Sequence, residues 1–536
     1  VPDKKEILTG FLSVVTMIAV VFGCGWYVSS DPMLQATTLF QAAAVTISQR
    51  YPFHLYGKTL FDGAEQSLFD LLDPFSFRMS RRDFADLVEE SSGEYGGIGI
   101  SVVARDTVLM VMAVYEGGPG YQAGMRAGDL IVSVEGTKVP RDNPDEAITL
   151  IRGPSGSKVH VTIYRPALDD TLALEMTRSQ IKLEHLMYSG VTPDDAAYIR
   201  LADFEAGASA DLEEALYTLE EKSPTGYIID LKGNPGGFLE EAIAAADLFL
   251  DKGTLVVGTS GRSRWESREF RSEYDPVTTR PVVILTDGGS ASAAEIFTGA
   301  LRGADRAVVV GDTTFGKGLV QTVMSLANGE AIRLTTSRYY FADGRYLNPP
   351  DSTLTFTGLA PDLVWRDSGE ISFRAQVLAG FLVYDFVDRY DSLLTAWPAD
   401  FNYPDTVVAL FRRFTQASGV NYRSPLTAMI DLTLEQQRLE QSPKEILDSL
   451  EKLRAQSQAS DRDVFEREKD FLKYHIRRVL VERHQGQAAA YREVIVPGRA
   501  DIRLAASILA DPKKYDALMN PAGKPAMAQG AEENSR

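Results

Sequence analysis

A chain of 536 residues exceeds one compact domain, and about two to four are expected. At 44% hydrophobic and 24% charged it is globular, and a formal net charge of −19 argues against a nucleic-acid binder, which needs a basic face. Its one cysteine, Cys24, provides neither a disulfide framework nor a cysteine-rich metal site, and no two of its five histidines stand at the i, i+4 spacing of a helical zinc motif, so no metal or other cofactor is expected.

Ile7 to Val28 carries no charge and follows Lys4 and Lys5. Such a run is long enough to cross a hydrocarbon core, and the lysines favour a cytoplasmic N-terminus. A cleaved signal peptide is the competing reading of residues 1–30, because Thr9, Gly10, Ser13 and Thr16 dilute the apolarity. Val21-Phe-Gly-Cys24 also loosely resembles a lipoprotein cleavage site. All three readings deliver the rest of the chain outside the cytoplasm.

Residues 31–90 are helical by pattern, broken at Asp73-Pro74, with Ser80 as the N-cap of a further helix. Residues 91–180 read as a small β-domain. Its runs Ile98–Val103, Thr107–Val114, Leu130–Val134, Lys158–Tyr164 and Thr171–Met176 are separated by glycine turns, and Asn143–Arg152 offers one helix. In residues 181–366 strands alternate with helices. Ala197–Leu201, Gly226–Leu231, Val282–Thr286 and Ala307–Gly311 are the apolar runs; Ala208–Leu219, Leu239–Phe249 and Ser292–Arg302 are helical. That alternation predicts an α/β core with parallel strands. Residues 367–519 form a mostly helical extension, with one helix starting at Ser442-Pro443 and another at Asp461. Residues 520–536 have the composition of a disordered tail. The fold class expected is thus α+β and multidomain.

Two segments carry the chemistry, Gly289-Ser-Ala-Ser-Ala-Ala-Glu295 and Thr314-Phe-Gly-Lys-Gly-Leu-Val-Gln321. Serine needs a base to act as a nucleophile. A lysine amine can be that base when burial keeps it neutral. Phe315, Leu319 and Val320 are apolar, and Gly316 and Gly318 allow close packing around Lys317. If the segment is extended, Lys317, Leu319 and Gln321 share one face, and Gln321 can hold the amine.

Those segments, with Leu72-Asp-Pro-Phe-Ser76, Ser92 to Ile100, Ala123 to Ile131 and Ile229 to Gly237, closely resemble the C-terminal processing peptidases, or tail-specific proteases. The resemblance spans about Leu68 to Val364 and implies a PDZ domain joined to a serine–lysine protease core of the α/β, crotonase/ClpP-like kind. It implies Ser292 as nucleophile, Lys317 as general base and Gln321 as its orienter, with Ser290 a rival nucleophile. Gly237, or Gly236, and Ala293 would supply oxyanion N–H groups. Gly97, Ile98 and Gly99 would form the loop that takes a terminal carboxylate. Arg152 would be a reporter of loop occupancy or a plain surface arginine.

The resemblance further implies a serine endopeptidase that cleaves near unstructured C-termini of extracytoplasmic proteins. Its place would be the bacterial cell envelope, anchored in the inner membrane and facing the periplasm, or exported. A catalytically silent PDZ scaffold is the alternative function, and a ligand-binding protein on the same core a third. Self-association is expected through the N-terminal helices or through Phe373, Leu378, Phe381 and Phe386, and an adaptor is a further expected partner. The sequence departs from the common family pattern at Ala294 and at Lys232-Gly233.

Overall fold

The computed structural model describes residues 32–53, 56–90, 94–105, 107–115, 117–182, 185–348, 357–367, 369–396 and 404–519. The expected membrane or signal segment at 1–30 and the tail at 520–536 lie outside the described residues. No helix among the described residues is long and apolar enough to cross a membrane. The chain divides into two compact units, Val1–Met79 with Val323–Thr335, and Ser80–Thr322 with Thr336–Arg536.

In the first unit, helices Pro32–Arg50 and Gly57–Phe69 precede a short strand, β1 (Phe77–Met79), which pairs antiparallel with Ala331–Arg333. The break foreseen at Asp73 is a turn closed by its own carboxylate, which accepts from the Phe75 amide at 3.0 Å and from the Thr335 hydroxyl at 3.1 Å. The Pro32–Arg50 helix buries no residue, and Leu39, Phe40, Val45 and Ile47 are exposed on it.

The second unit opens with helix Arg81–Glu90, capped as expected: the Ser80 hydroxyl accepts from the Asp83 amide at 3.2 Å. A β-domain follows, with β2 (Glu94–Gly97), β3 (Ile100–Arg105), β4 (Val108–Val114), β5 (Leu130–Val134), β6 (Thr137–Lys138), β7 (Lys158–Arg165), β8 (Asp170–Thr177) and β9 (Ser179–Lys182). Its antiparallel sheet runs β3-β4-β5-β7-β8, while β2 pairs separately with β9. Ile98, Val111, Ile131, Val161 and Ile163 fill its core. Helix Asp145–Ile151 completes it.

The α/β core contains β10 (Leu186–Val191), β11 (Ala197–Leu201), β12 (Tyr227–Asp230), β13 (Leu255–Gly261), β14 (Arg268–Arg271), β15 (Val282–Thr286), β16 (Ala307–Gly311), β17 (Leu319–Ser325), β18 (Ala331–Tyr340) and β19 (Leu363–Val364). The main sheet has the order β10-β11-β12-β15-β16-β19 and is parallel from β11 onward. Its central strands β11, β12, β15 and β16 are buried on both faces, which is why they read as continuous apolar runs. Ile199, Ile229 and Ile284 face helices Ala208–Glu220, Leu239–Asp247 and Ala293–Gly303. The alternate residues Tyr198, Ile228, Val283 and Val308 face Ile502, Ala505 and Ala506 of helix Ala500–Leu509. The far end of the helical extension therefore closes the second face of the sheet. Strands β13, β14, β17 and β18 form a further sheet with no counterpart in the predicted elements.

Buried charge locks that closure. Asp230, fully buried at the end of β12, accepts from Arg499 at 2.7 Å, Tyr198 at 2.7 Å and Arg200 at 3.2 Å. Asp501 pairs with Arg499 and, at 2.9 Å, with Lys232. Lys232 also lies 4.9 Å from the centre of the Trp365 ring. Burial would raise the Asp501 carboxyl, but Arg499 and Lys232 bring it down to about 2.

Elsewhere in the extension, Phe373, Val377, Phe386, Phe411, Leu472 and Ile476 share one apolar cluster with Met110 of β4. Arg105 of β3 makes a bidentate pair with Asp385 at 2.7 Å, and Arg483 pairs with Asp388 while donating to the Ala127 carbonyl at 3.3 Å. Phe373 and Phe386, expected to mediate self-association, are thus spent inside the chain. Asp461 starts no helix: it lies within Lys444–Arg462, and Asp463 and Glu468 stand at the starts of the next two helices.

Candidate active site

Strand β15 delivers the chain to a tight turn at Asp287–Ala291 and then to helix Ala293–Gly303. Ser290 is buried; its hydroxyl donates to the Leu231 carbonyl at 2.7 Å and accepts from the Asp287 amide at 3.0 Å. That hydroxyl fastens the turn and is buried, unlike the part-buried Ser292. Ser292 caps the helix at φ 54° and ψ −115°, outside the regions that L-residues favour. Such strain persists only where surrounding contacts over-determine it.

Glu295 supplies those contacts. Its carboxylate is fully buried. One oxygen, Oε2, accepts from the Ser292 amide at 2.9 Å and from the Lys317 amide at 2.8 Å. The other, Oε1, accepts from the Gly316 amide at 2.7 Å and from the Thr314 hydroxyl. The Thr314 hydroxyl itself accepts from the Leu359 amide at 2.7 Å, so its proton must point at Glu295. Among the described residues four donors and no acceptor face this group, the pattern an ionised carboxylate satisfies. Burial pushes its carboxyl above the ordinary value against the pull of those four hydrogen bonds.

The carbonyl side is tied as well. The buried Tyr339 hydroxyl faces both the Lys317 carbonyl and, at 3.3 Å, the Ser292 carbonyl. Burial, then the charge of Glu295, holds the Tyr339 phenol well above its usual range. The Phe315 amide donates to the Ser290 carbonyl at 3.0 Å. Residues 314–317 and 290–295 are therefore one stitched unit. Neither Glu295 nor Tyr339 was assigned a role from sequence. For Glu295 the signal was present in the Ser-x-x-Glu spacing of a capping box; for Tyr339, at the end of β18, there was none.

Lys317 stands just ahead of β17, which begins at Leu319, so it is not itself in the strand. Leu319 is buried and Gln321, two residues on, is partly buried on the same side.

The Asn234–Gly237 loop crosses directly over the serine. A Cβ on Gly236 would lie 2.8 Å from the Ser292 Cβ, the Ala293 nitrogen and the Ala291 oxygen. The Gly236 amide is spent on the Asn234 side chain at 2.9 Å. Phe204 brackets the loop: its amide donates to the Gly236 carbonyl and its carbonyl accepts from the Phe238 amide, both at 2.8 Å. A Cβ on Gly237, at φ 152°, would overlap that Phe204 carbonyl. Among the described residues the Gly237 and Ala293 amides have no acceptor, whereas that of Gly236 does.

In the β-domain, Ile98 is buried and its carbonyl accepts from the Gly120 amide at 2.7 Å. Gly99 adopts φ 71° and its carbonyl accepts from Tyr115 at 3.0 Å. Gly97 closes β2 by pairing with Ser179. The strand after this loop, β3, ends its sheet, the position strand addition requires. Arg152 is exposed at the end of helix Asp145–Ile151.

A strained serine between a parallel strand and a helix, stitched to a lysine segment and joined to a PDZ domain, defines a PDZ-bearing serine protease. Residues 195–364 match the model of peptidase family S41. Residues 110–165 match a PDZ domain, and 374–508 the C-terminal helical domain of a probable PDZ-protease. The carboxy-terminal-processing protease of Bartonella bacilliformis is 35% identical over 310 residues, covering 57% of this chain and 69% of that relative. The carboxyl-terminal-processing protease of Picosynechococcus is 30% identical over 357 residues, covering 63% and 86%. Among solved structures, a photosystem II D1 C-terminal processing protease is 26% identical with a TM-score of 0.38, covering 60% of this chain and 86% of that one. The chain belongs to the carboxy-terminal processing proteases and is a serine-type endopeptidase of family S41.

Proposed function

We propose that this protease hydrolyses peptide bonds near unstructured C-termini with a Ser292–Lys317 dyad. The observation that carries the reading is the convergence of both residues' amides on one oxygen of Glu295. Neutral Lys317, oriented by Gln321, takes the Ser292 proton as the hydroxyl oxygen attacks the scissile carbonyl. The Gly237 and Ala293 amides receive the oxyanion at the helix N-terminus. The lysine then passes its proton to the leaving amine. A water, deprotonated by Lys317, attacks the acyl carbonyl, and as the ester bond breaks the lysine returns that proton to the Ser292 oxygen, regenerating the serine and the neutral amine. The PDZ loop Gly97–Gly99 takes the terminal carboxylate while β3 pairs with the extended tail.

This reading places the catalytic body outside the cytoplasm, held to a membrane or exported through residues 1–30, on the strength of the uncharged Ile7–Val28 run behind two lysines. In this proposal the compartment is the bacterial envelope and the core is crotonase-like, both expectations drawn from the resemblance. Self-association falls to helix Pro32–Arg50, with its exposed Leu39, Phe40, Val45 and Ile47. The test is C-terminal peptide mapping of the extracytoplasmic proteome in wild type and Ser292→Ala. Tails retained only in the variant are expected. Identical C-termini in both strains would overturn the assignment.

A further inference from the structure

His185 is fully buried where the chain leaves the PDZ domain for the protease core, three residues after β9. Both of its ring nitrogens meet acceptors. Nδ1 lies 2.6 Å from Asp203 Oδ1, and Nε2 lies 3.1 Å from the Ala206 carbonyl. A carbonyl can only accept, and the carboxylate does the same, so the ring donates twice and is an imidazolium.

The loop it holds is the one that brackets the oxyanion glycines. Asp203 also accepts from the Glu205 amide at 3.0 Å, and the His185 carbonyl accepts from the Ala202 amide at 2.7 Å. Phe204, between those anchors, makes both hydrogen bonds to the Gly236–Phe238 segment.

We propose that His185, in its imidazolium form, is a positioning residue for the Gly236–Gly237 oxyanion loop. The inference rests on the proposed role of Gly237. It gives the enzyme an alkaline limit of its own. Burial by itself would lower the His185 pKa, but the bond and charge of Asp203, with Asp211 beyond it, hold it above the ordinary histidine value. Glu241, whose carboxylate fixes the Gly207 and Ser209 amides of the same loop, adds negative charge nearby. Loss of the ring proton removes one of the two donors: the remaining proton stays on Nδ1 facing Asp203, the Ala206 carbonyl loses its donor, and the loop around Phe204 loosens. Turnover then falls at pH values above that raised pKa, while the Lys317 base would drive it the other way.

The test uses the full chain with His185→Gln and Asp203→Asn, thermal melts to confirm folding, and pH profiles between about 6 and 10. Substrates are a peptide with a free apolar C-terminus and a small nitrophenyl ester. Both variants are expected to lose at least about tenfold in kcat on both substrates, with KM within about twofold. The alkaline limb should be present in wild type and absent from His185→Gln. Wild-type kcat in both variants, no alkaline limb in wild type, or an alkaline limb that survives His185→Gln overturns the proposal. If His185→Gln fails to fold, Asp203→Asn and the wild-type profile decide. Failure of the underlying reading shows separately, as no fluorophosphonate labelling of Ser292.

Discussion

The amides of Ser292 and Lys317 end on the same atom, Glu295 Oε2, at 2.9 and 2.8 Å. Two segments separated in the sequence are thereby held in one register by a side chain that takes no part in bond making. Glu295→Gln should damage this more than its small change in shape suggests. An amide NH2 presented to N–H donors replaces attraction with repulsion, and each buried donor left unpaired costs about 1–3 kcal/mol. The expected result is a folded protein with kcat lowered at least about tenfold and fluorophosphonate labelling of Ser292 slowed in parallel. Unchanged labelling by Glu295→Gln would show that the shared oxygen does not set the geometry.

Lys317→Ala and Lys317→Arg should both abolish turnover without unfolding the chain, because arginine stays protonated and cannot accept the serine proton. Loss of a general base typically costs about a hundred- to ten-thousand-fold. Ser292→Ala combined with Lys317→Ala should cost little beyond either alone. Normal cleavage by a folded Lys317→Ala would sink the dyad.

Gly236→Ala puts a methyl 2.8 Å from Ser292 Cβ at φ 102°. The strain of an L-residue in that conformation adds to the overlap. The loop must move off the serine, so kcat should collapse while tail binding to the PDZ domain, measured by fluorescence anisotropy, stays within about twofold.

Bulky substitution at Gly97 or Gly99 should do the reverse. Gly99 needs its positive φ, and a side chain there distorts the amides that would meet a carboxylate. Cleavage of tailed substrates should fall while basal turnover of a small ester persists. Equal cleavage of free and amidated tails by wild type would remove the case for carboxylate reading.

Burial raises Asp388 to about 6 against the pull of Arg483, and its Oδ2 finds no hydrogen-bond partner among the described residues. A carboxyl raised on folding favours the native state at low pH, so stability falls as pH rises from about 4 to about 6, by at most about 3 kcal/mol. Asp501 runs the opposite way. Depressed to about 2, it stabilises above about pH 4 and is lost as pH falls through 2. Melting temperature against pH should therefore peak on the acid side of neutrality. Asp388→Asn should flatten the slope between pH 4 and 6. Arg499→Met, which leaves the buried Asp230 to Arg200 and Tyr198 and Asp501 to Lys232, should destabilise by at most about 3–5 kcal/mol.

Local chemistry made part of this protein legible in its sequence. Val282–Thr286 and Ala307–Gly311 were readable to the residue because strands covered on both faces must be apolar throughout. Ser80 was readable as a cap because its partner, Asp83, is three residues away. Ser292, Lys317 and the glycines of 234–237 stand out through the family resemblance, whose motifs are short and local, and their catalytic roles belong to the proposed function. Tertiary structure decided the rest. The Asp230–Arg499 pair spans 269 residues, and the Arg105–Asp385 pair 280, so no periodicity records either. The same holds for Tyr339 reaching the carbonyls of Ser292 and Lys317, and for His185 meeting Asp203 and Ala206. A hydrogen bond at 3 Å depends on where the chain returns in space, and each residue in it looks, along the chain, like an ordinary tyrosine, histidine or aspartate. Phe373 and Phe386 show the same limit for apolar residues: the sequence marks them as needing cover, and only the fold shows that the cover is the chain's own PDZ sheet and neighbouring helices, not a second copy.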